Sequence, residues 1–205
     1  ADSSAEVLFV AGNHDLQELS NDEFYHRMSS NLAIPSDAMR YGYSYAVDRR
    51  GFRFIFLDTH FTVDGHDWSR GEFSWDKAYV RSDHLAWAAR ASAGAPDSGV
   101  ILVVHENLDY RERDGDRDPH VVANHQAVWD AVSHEDSVRA VIQGHYHPGR
   151  LSHRKGAPIL TLAAVADFPA PANAFAVAEI EDEAISVRGY ARQHSAQILM
   201  TDPPQ

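Results

Sequence analysis

Two short stretches of this 205-residue chain concentrate side chains that could hold a metal ion. Gly12-Asn13-His14-Asp15 closes the apolar run Val7-Leu8-Phe9-Val10-Ala11, and Gly144-His145-Tyr146-His147 closes Val138-Arg139-Ala140-Val141-Ile142-Gln143. His105 stands in the same relation to a third run, residues 99–104. Neutral imidazole is the commonest protein ligand for divalent transition metals, and Asn13 adds a neutral oxygen. Taken singly, Asn-His-Asp reads as a turn and His-x-His as a local pair. Taken together, three clusters at three strand ends read as one shared site. In a turn, His145 and His147 can diverge around two ions about 3.5–4 Å apart, a clamp for phosphoryl transfer. The pairing of His14 with Asp15 points to different chemistry. A carboxylate beside an imidazole keeps it protonated, fit for a general acid or for stabilising a charged oxygen.

The elements that must position these residues follow from the pattern. Apolar runs of this kind are buried strands, and strand ends carry the loops where α/β folds do chemistry. Residues 6–11 read as a strand and 12–19 as a loop. Ser20 stands before Glu23 at capping-box spacing, so a helix is predicted over residues 21–30. Residues 43–48 and 52–58 read as strands joined by a tight turn at Arg49-Arg50-Gly51. Residues 59–79 read as a surface loop. Ser82 is expected to cap a helix with Leu85, Trp87, Ala88 and Ala89 inward, and Asn124 another through Val128, Trp129 and Val132. Residues 99–104, 138–143, 158–165, 174–180 and 184–191 read as strands, and the charged segment 106–119 as exposed. Strands alternating with helices indicate α/β, and the closing strands an added antiparallel portion.

Composition narrows the function. With no cysteine, disulfides, thiolate zinc sites and thiol nucleophiles are excluded. A formal charge of −12 disfavours nonspecific binding to nucleic acid or anionic lipid. An anionic substrate therefore needs local cations, and metal ions are the obvious source. No apolar stretch reaches the roughly 18 residues of a membrane span. The expectation is a soluble protein, cytoplasmic or exported with its leader removed.

In this order, Gly12-Asn13-His14-Asp15, Val103-Val104-His105 and Gly144-His145-Tyr146-His147 resemble the later motifs of the calcineurin-like metallophosphoesterases. Residues 52–59, ending Leu57-Asp58-Thr59, and His84-Leu85-Ala86-Trp87 agree with that family. The likeness covers roughly residues 7–192. It implies a four-layer α/β/β/α sandwich in one domain over residues 1–205, with a dinuclear site of Mn, Fe or Zn. By position, Asn13, His105 and His145 would ligate one ion and His147 the other, with His14 the acid, oriented by Asp15. The substrate would be a phosphorylated small molecule or a nucleotide. The branch nearest in appearance is the manganese-dependent ADP-ribose/CDP-alcohol diphosphatases.

The chain also departs from that family. An Asp-x-His strand end and a Gly-Asp motif should precede Gly12, and only eleven residues do. The expectation is therefore a C-terminal portion lacking its first strand-helix-strand unit. It would bind a missing N-terminal piece or a second copy, or hold one metal without turnover. Asp58-Thr59-His60 spells Asp-x-His at a strand end and could stand in, or Asp58 could simply organise its loop. His120 could face the site from its loop. Arg111, Arg113 and Arg117 could meet a second phosphate, and Tyr110 or Trp68 could stack on a ring. His125 and His134 read as solvated on the helix after Asn124.

Overall fold

The computed structural model describes residues 6–31, 34–72, 74–133, 137–167 and 169–200. The helices are α1 (Asp15–Glu18), α2 (Asn21–Asn31), α3 (Ser82–Ala93) and α4 (His125–Val132). The strands are β1 (Met39–Tyr41), β2 (Ser44–Arg49), β3 (Phe52–Phe56), β4 (Val100–Val103), β5 (Glu112–Arg113) and β6 (Asp116–Arg117). They continue with β7 (Val138–Gln143), β8 (Arg150–Arg154), β9 (Ala157–Thr161), β10 (Phe175–Ile180), β11 (Ala184–Tyr190) and β12 (Ala196–Leu199).

Seven strands form one sheet in the order β1-β2-β3-β4-β7-β9-β8. Its centre, β3-β4-β7-β9, is parallel, and β1-β2 and β8 close the two sides antiparallel. Parallel strands need cover on both faces, which is why β4 reads Val-Ile-Leu-Val and every residue of β9 is buried. On one face Ile55, Leu102, Val141 and Ile159 meet Trp87, Ala88 and Ala91 of α3 and Val128, Trp129 and Val132 of α4. On the other, Phe52, Ile101, Ala140 and Leu160 meet Ile185, Val187 and Ile198 of the antiparallel sheet β10-β11-β12. Helices, large sheet and small sheet are thus stacked as an α/β sandwich. Among the described residues, no helix is long and apolar enough to cross a membrane.

Local chemistry explains several boundaries. Ser20 N–H donates to Glu23 Oε2 at 2.8 Å and Glu23 N–H to Ser20 Oγ at 3.2 Å, the reciprocal cap that starts α2. Arg50 and Gly51 both adopt positive φ, 49° and 86°, as a two-residue hairpin turn between β2 and β3 requires.

Other expectations are corrected. Residues 6–11 form no strand. The Tyr45 hydroxyl bonds the Phe9 backbone on both sides, accepting from N–H at 2.8 Å and donating to O at 2.6 Å. A side chain thereby replaces sheet pairing there, and Phe9 and Ala11 pack with Leu16, Phe24, Tyr25 and Trp68. Segment 59–79 is not a surface loop at its start, since His60 and Phe61 are buried along with Trp68. Ser82 lies inside α3, whose N-cap is Arg81. Asn124 sits at the N-cap of α4 without capping it. Its Oδ1 accepts from Val80 N–H at 2.9 Å and its Nδ2 donates to Val80 O at 2.7 Å, tying the two segments together. His134 lies outside the described residues.

Candidate metal centre

Strands β3, β4 and β7 are parallel neighbours, so their C-terminal ends deliver residues 57–60, 104–107 and 144–147 side by side. Ligands in open α/β sheets gather at such strand ends. There, ligand atoms of His105, Glu106 and His145 all lie within 4.8 Å of one another. Glu106 and His145 are buried and His105 half-buried. Burial depresses His105 to about 4, with His145, His60 and His14 adding to the effect against Glu106. Burial likewise lowers His145. Both imidazoles are therefore neutral at physiological pH, the form that binds metal.

Hydrogen bonds fix these rings. His145 Nε2–H donates to Trp75 O at 3.0 Å, which leaves Nδ1 with its lone pair. His145 itself sits at φ 64°, an uncommon conformation for a residue with a Cβ. Gly144 N–H donates to His105 O at 3.0 Å, and Asn107 Nδ2 donates to Gly144 O at 2.8 Å. Beneath them, Gln143 accepts from Leu108 N–H at 2.9 Å and donates to Asp109 at 2.7 Å and Thr161 at 2.8 Å. This network draws the charged-looking segment 106–109 inward. Glu106, Asn107, Leu108 and Asp109 are all buried, against the expectation of an exposed run.

Asn13 reaches the same place from residues 12–15. Its Oδ1 lies 3.1 Å from His105 Nε2. Two atoms each about 2.1 Å from one ion, at a right angle, stand roughly 3.0 Å apart, so the spacing suits a shared ion as well as a hydrogen bond. Gly12 makes room for the imidazole: a Cβ there would fall 2.7 Å from His105 Cε1. Asp15 Oδ2 accepts the Gly12 N–H at 2.8 Å, closing the turn into α1. His14 is exposed, with Nδ1 3.3 Å from Gln17 Oε1.

Behind Glu106 lies a buried chain of charge. Asp58 Oδ1 accepts from His60 Nδ1 at 2.7 Å and from His60 N–H at 3.1 Å. His60 Nε2 stands 2.9 Å from Glu106 Oε1, close as an ion pair but not aligned as a hydrogen bond. Thr59 Oγ1 donates to Glu106 Oε2. Burial works against charge on His60, but Glu106 and Asp58 outweigh it and raise it to about 10. Burial also works against charge on Glu106, and His60 overcomes it and holds the carboxylate well below its usual range.

Outside this group a cleft of about 360 Å³ is lined by Asn13, His14, Trp75, His120, His145, Tyr146, His147 and Pro148. His147 is half-exposed, with its Nδ1 2.6 Å from Asp167 Oδ1 as an ion pair. His120 donates Nδ1–H to Asp118 at 2.7 Å, and its ring centroid lies 5.2 Å from that of His145.

The donor chemistry fits one divalent transition metal: two neutral imidazoles, a carboxylate whose buried Oε1 lacks a hydrogen bond, and an amide oxygen. Asn13, His105 and His145 come together; His147 and His14 stand in the adjoining cleft. Sequence reading missed Glu106, which only its place directly after His105 could have flagged. It left His120 open.

No protein-family model matches the chain, and no curated protein matches it. Among solved structures the chain is similar to a dimetal phosphatase from Danio rerio, at 20% identity and a TM-score of 0.69 over 94% of this chain and 71% of that one. It is also similar to PhoD, at 9% identity and a TM-score of 0.55 over 87% of this chain and 45% of that one. At such identities the likeness is one of fold: the chain shares the α/β architecture of these two structures.

Proposed function

We propose that the chain is a metal-dependent hydrolase of phosphoester or nucleotide pyrophosphate bonds. The observation that carries this is the convergence of His105, Glu106 and His145 donors within 4.8 Å at two adjacent strand ends. Asn13, His105, Glu106 and His145 would hold one ion, and His147, at the cleft, would serve another. Mn, Fe or Zn suits imidazole donors better than Ca. A bound divalent ion would lower the pKa of a coordinated water and neutralise phosphate oxygens.

The chain's own groups do the rest. Trp75 O fixes the tautomer of His145, and the Asp58–His60 pair holds Glu106 ionised. His14, exposed beside Asn13 in the cleft wall, would give a proton to a leaving oxygen. Asp15 supports it indirectly, by closing the turn through Gly12. The cleft is open, as a small phosphorylated substrate requires. The ADP-ribose/CDP-alcohol diphosphatase branch would make that substrate a nucleotide pyrophosphate.

The test is metal content by elemental analysis together with hydrolysis of a bis-aryl phosphodiester and a nucleotide pyrophosphate. Metal-dependent turnover of either supports the proposal; absence of bound transition metal at neutral pH refutes it. A second reading is a one-metal protein without turnover, alone or joined to a partner chain. It is favoured by a specific observation: among the described residues, only one group of three such donors lies within ligand reach. Stoichiometric metal with no hydrolysis of either substrate would select it.

A further inference from the structure

Two histidines in the cleft share an arrangement that His105 and His145 lack. His120 donates Nδ1–H to Asp118 at 2.7 Å, and His147 has Asp167 beside its Nδ1, 2.6 Å away as an ion pair. In His120 that bond fixes the tautomer and leaves Nε2 with its lone pair. Metal-ligating histidines are typically supported in this way. Each carboxylate is itself held: Asp118 has Arg111 at 3.6 Å, and Asp167 has Arg192 at 3.4 Å.

The position of His120 points the same way. Its ring lies 5.2 Å from that of His145 at an interplanar angle of 65°. His105 and His145, the imidazoles of the first ion, are 5.1 Å apart at 63°. His120 thus stands beside the first ion's imidazoles, in the cleft that His147 also lines. Tyr146 and Trp75 frame His120, with centroids at 5.5 and 4.9 Å, and fix its plane. Nothing in the motif pattern calls for a histidine at this place.

We propose that His120 is a metal ligand, supplying Nε2 together with His147 to a second ion in the cleft beside the His105–Glu106–His145 group. Water and substrate oxygens complete that ion's shell, as an open catalytic position demands. This rests on the metal-dependent reading above. It goes beyond it in giving the second ion, beside His147, a ligand on the loop after β6.

The experiment titrates Mn²⁺ into the metal-free chain by calorimetry, with elemental analysis after desalting. EPR is recorded for magnetic coupling between ions. His120→Phe keeps an aromatic ring against Trp75 and Tyr146 but removes the nitrogen. Asp118→Asn keeps the ring and removes its carboxylate. The expected result is two coupled ions in the original chain. His120→Phe should leave one uncoupled ion, and Asp118→Asn should weaken the second ion about 10- to 100-fold. Two ions of unchanged affinity in His120→Phe would overturn the assignment. A single ion in the original chain, insensitive to His120→Phe, would overturn it while leaving the first ion's site standing. No bound ion at all would defeat the metal-dependent reading as well.

Discussion

Gly12→Ala tests how closely the first ion's site is built. The added Cβ would meet His105 Cε1 at 2.7 Å, Nδ1 at 2.9 Å and Nε2 at 3.0 Å. Ordinary carbon contacts are about 3.5–4.0 Å, so the ring must retreat by roughly 0.8 Å or more. Metal ligands tolerate deviations of about 0.2 Å. The retreat also strains the Asn13 Oδ1 to His105 Nε2 spacing of 3.1 Å. Metal affinity should fall at least tenfold, about 1.4 kcal/mol. Overpacking should cost about 1–3 kcal/mol of stability, too little to unfold a typical domain. Gly144→Ala is the matched control, because its Cβ would reach His105 Nδ1 at an ordinary 3.4 Å. The assay is metal titration calorimetry beside urea unfolding of the metal-free variants. Wild-type affinity in Gly12→Ala, or equal losses in the two variants, would refute the reasoning.

Other outcomes follow from the same geometry. His14→Ala should lower turnover with metal content nearly unchanged, whereas His145→Ala should lose both; equal metal loss would show that His14 is a ligand. Chelation should abolish hydrolysis, with Mn, Fe or Zn restoring it and Ca failing, as read by a phosphate-release assay. Glu106→Gln should destabilise the metal-free protein by about 3 kcal/mol in urea unfolding, because it strips one partner from a buried ion pair. Arg53 pairs with Asp48 through two bonds, 2.7 and 2.8 Å, and its hydrogen bonds hold Asp48 below the usual carboxylate value. That contribution is present above about pH 4 and is lost as pH falls through the lower folded value. Arg53→Met should therefore flatten the acid limb of the stability curve below pH 4, and an unchanged limb would count against the pairing.

Much of the fold was legible where short-range chemistry decides structure. Ser20 and Glu23 announce α2, and Arg50-Gly51 announces the hairpin. The apolar runs of β4 and β7 announce strands covered on both faces, with the ligand-bearing turns at their ends. Legibility failed where a distant partner decides. Residues 6–11 have the composition of a strand, yet Tyr45, far along the chain, takes the Phe9 hydrogen bonds through its hydroxyl. Glu106 opens a run rich in charge, yet Gln143 at the end of β7 anchors that run inward through Leu108 and Asp109. Local pattern cannot report a burial created by a side chain 34 or 35 positions away.

The same consideration bears on Asp58 and His60, which spell the pattern of a ligand pair at the end of β3. A ligating histidine needs one nitrogen free of hydrogen and facing the ion. His60 gives Nδ1–H to Asp58 and turns Nε2 toward Glu106, and its raised pKa makes it an imidazolium. A cation so placed repels a metal ion but stabilises the anion between them. His60 therefore acts through Glu106. It keeps a fully buried carboxylate ionised beside two neutral imidazoles, where burial alone would favour protonation. Asp58 extends this support one residue further, orienting His60 through both its ring and its backbone N–H. The ligand-like spelling at β3 is thus better explained as the foundation of a ligand on β4's loop than as a ligand pair of its own.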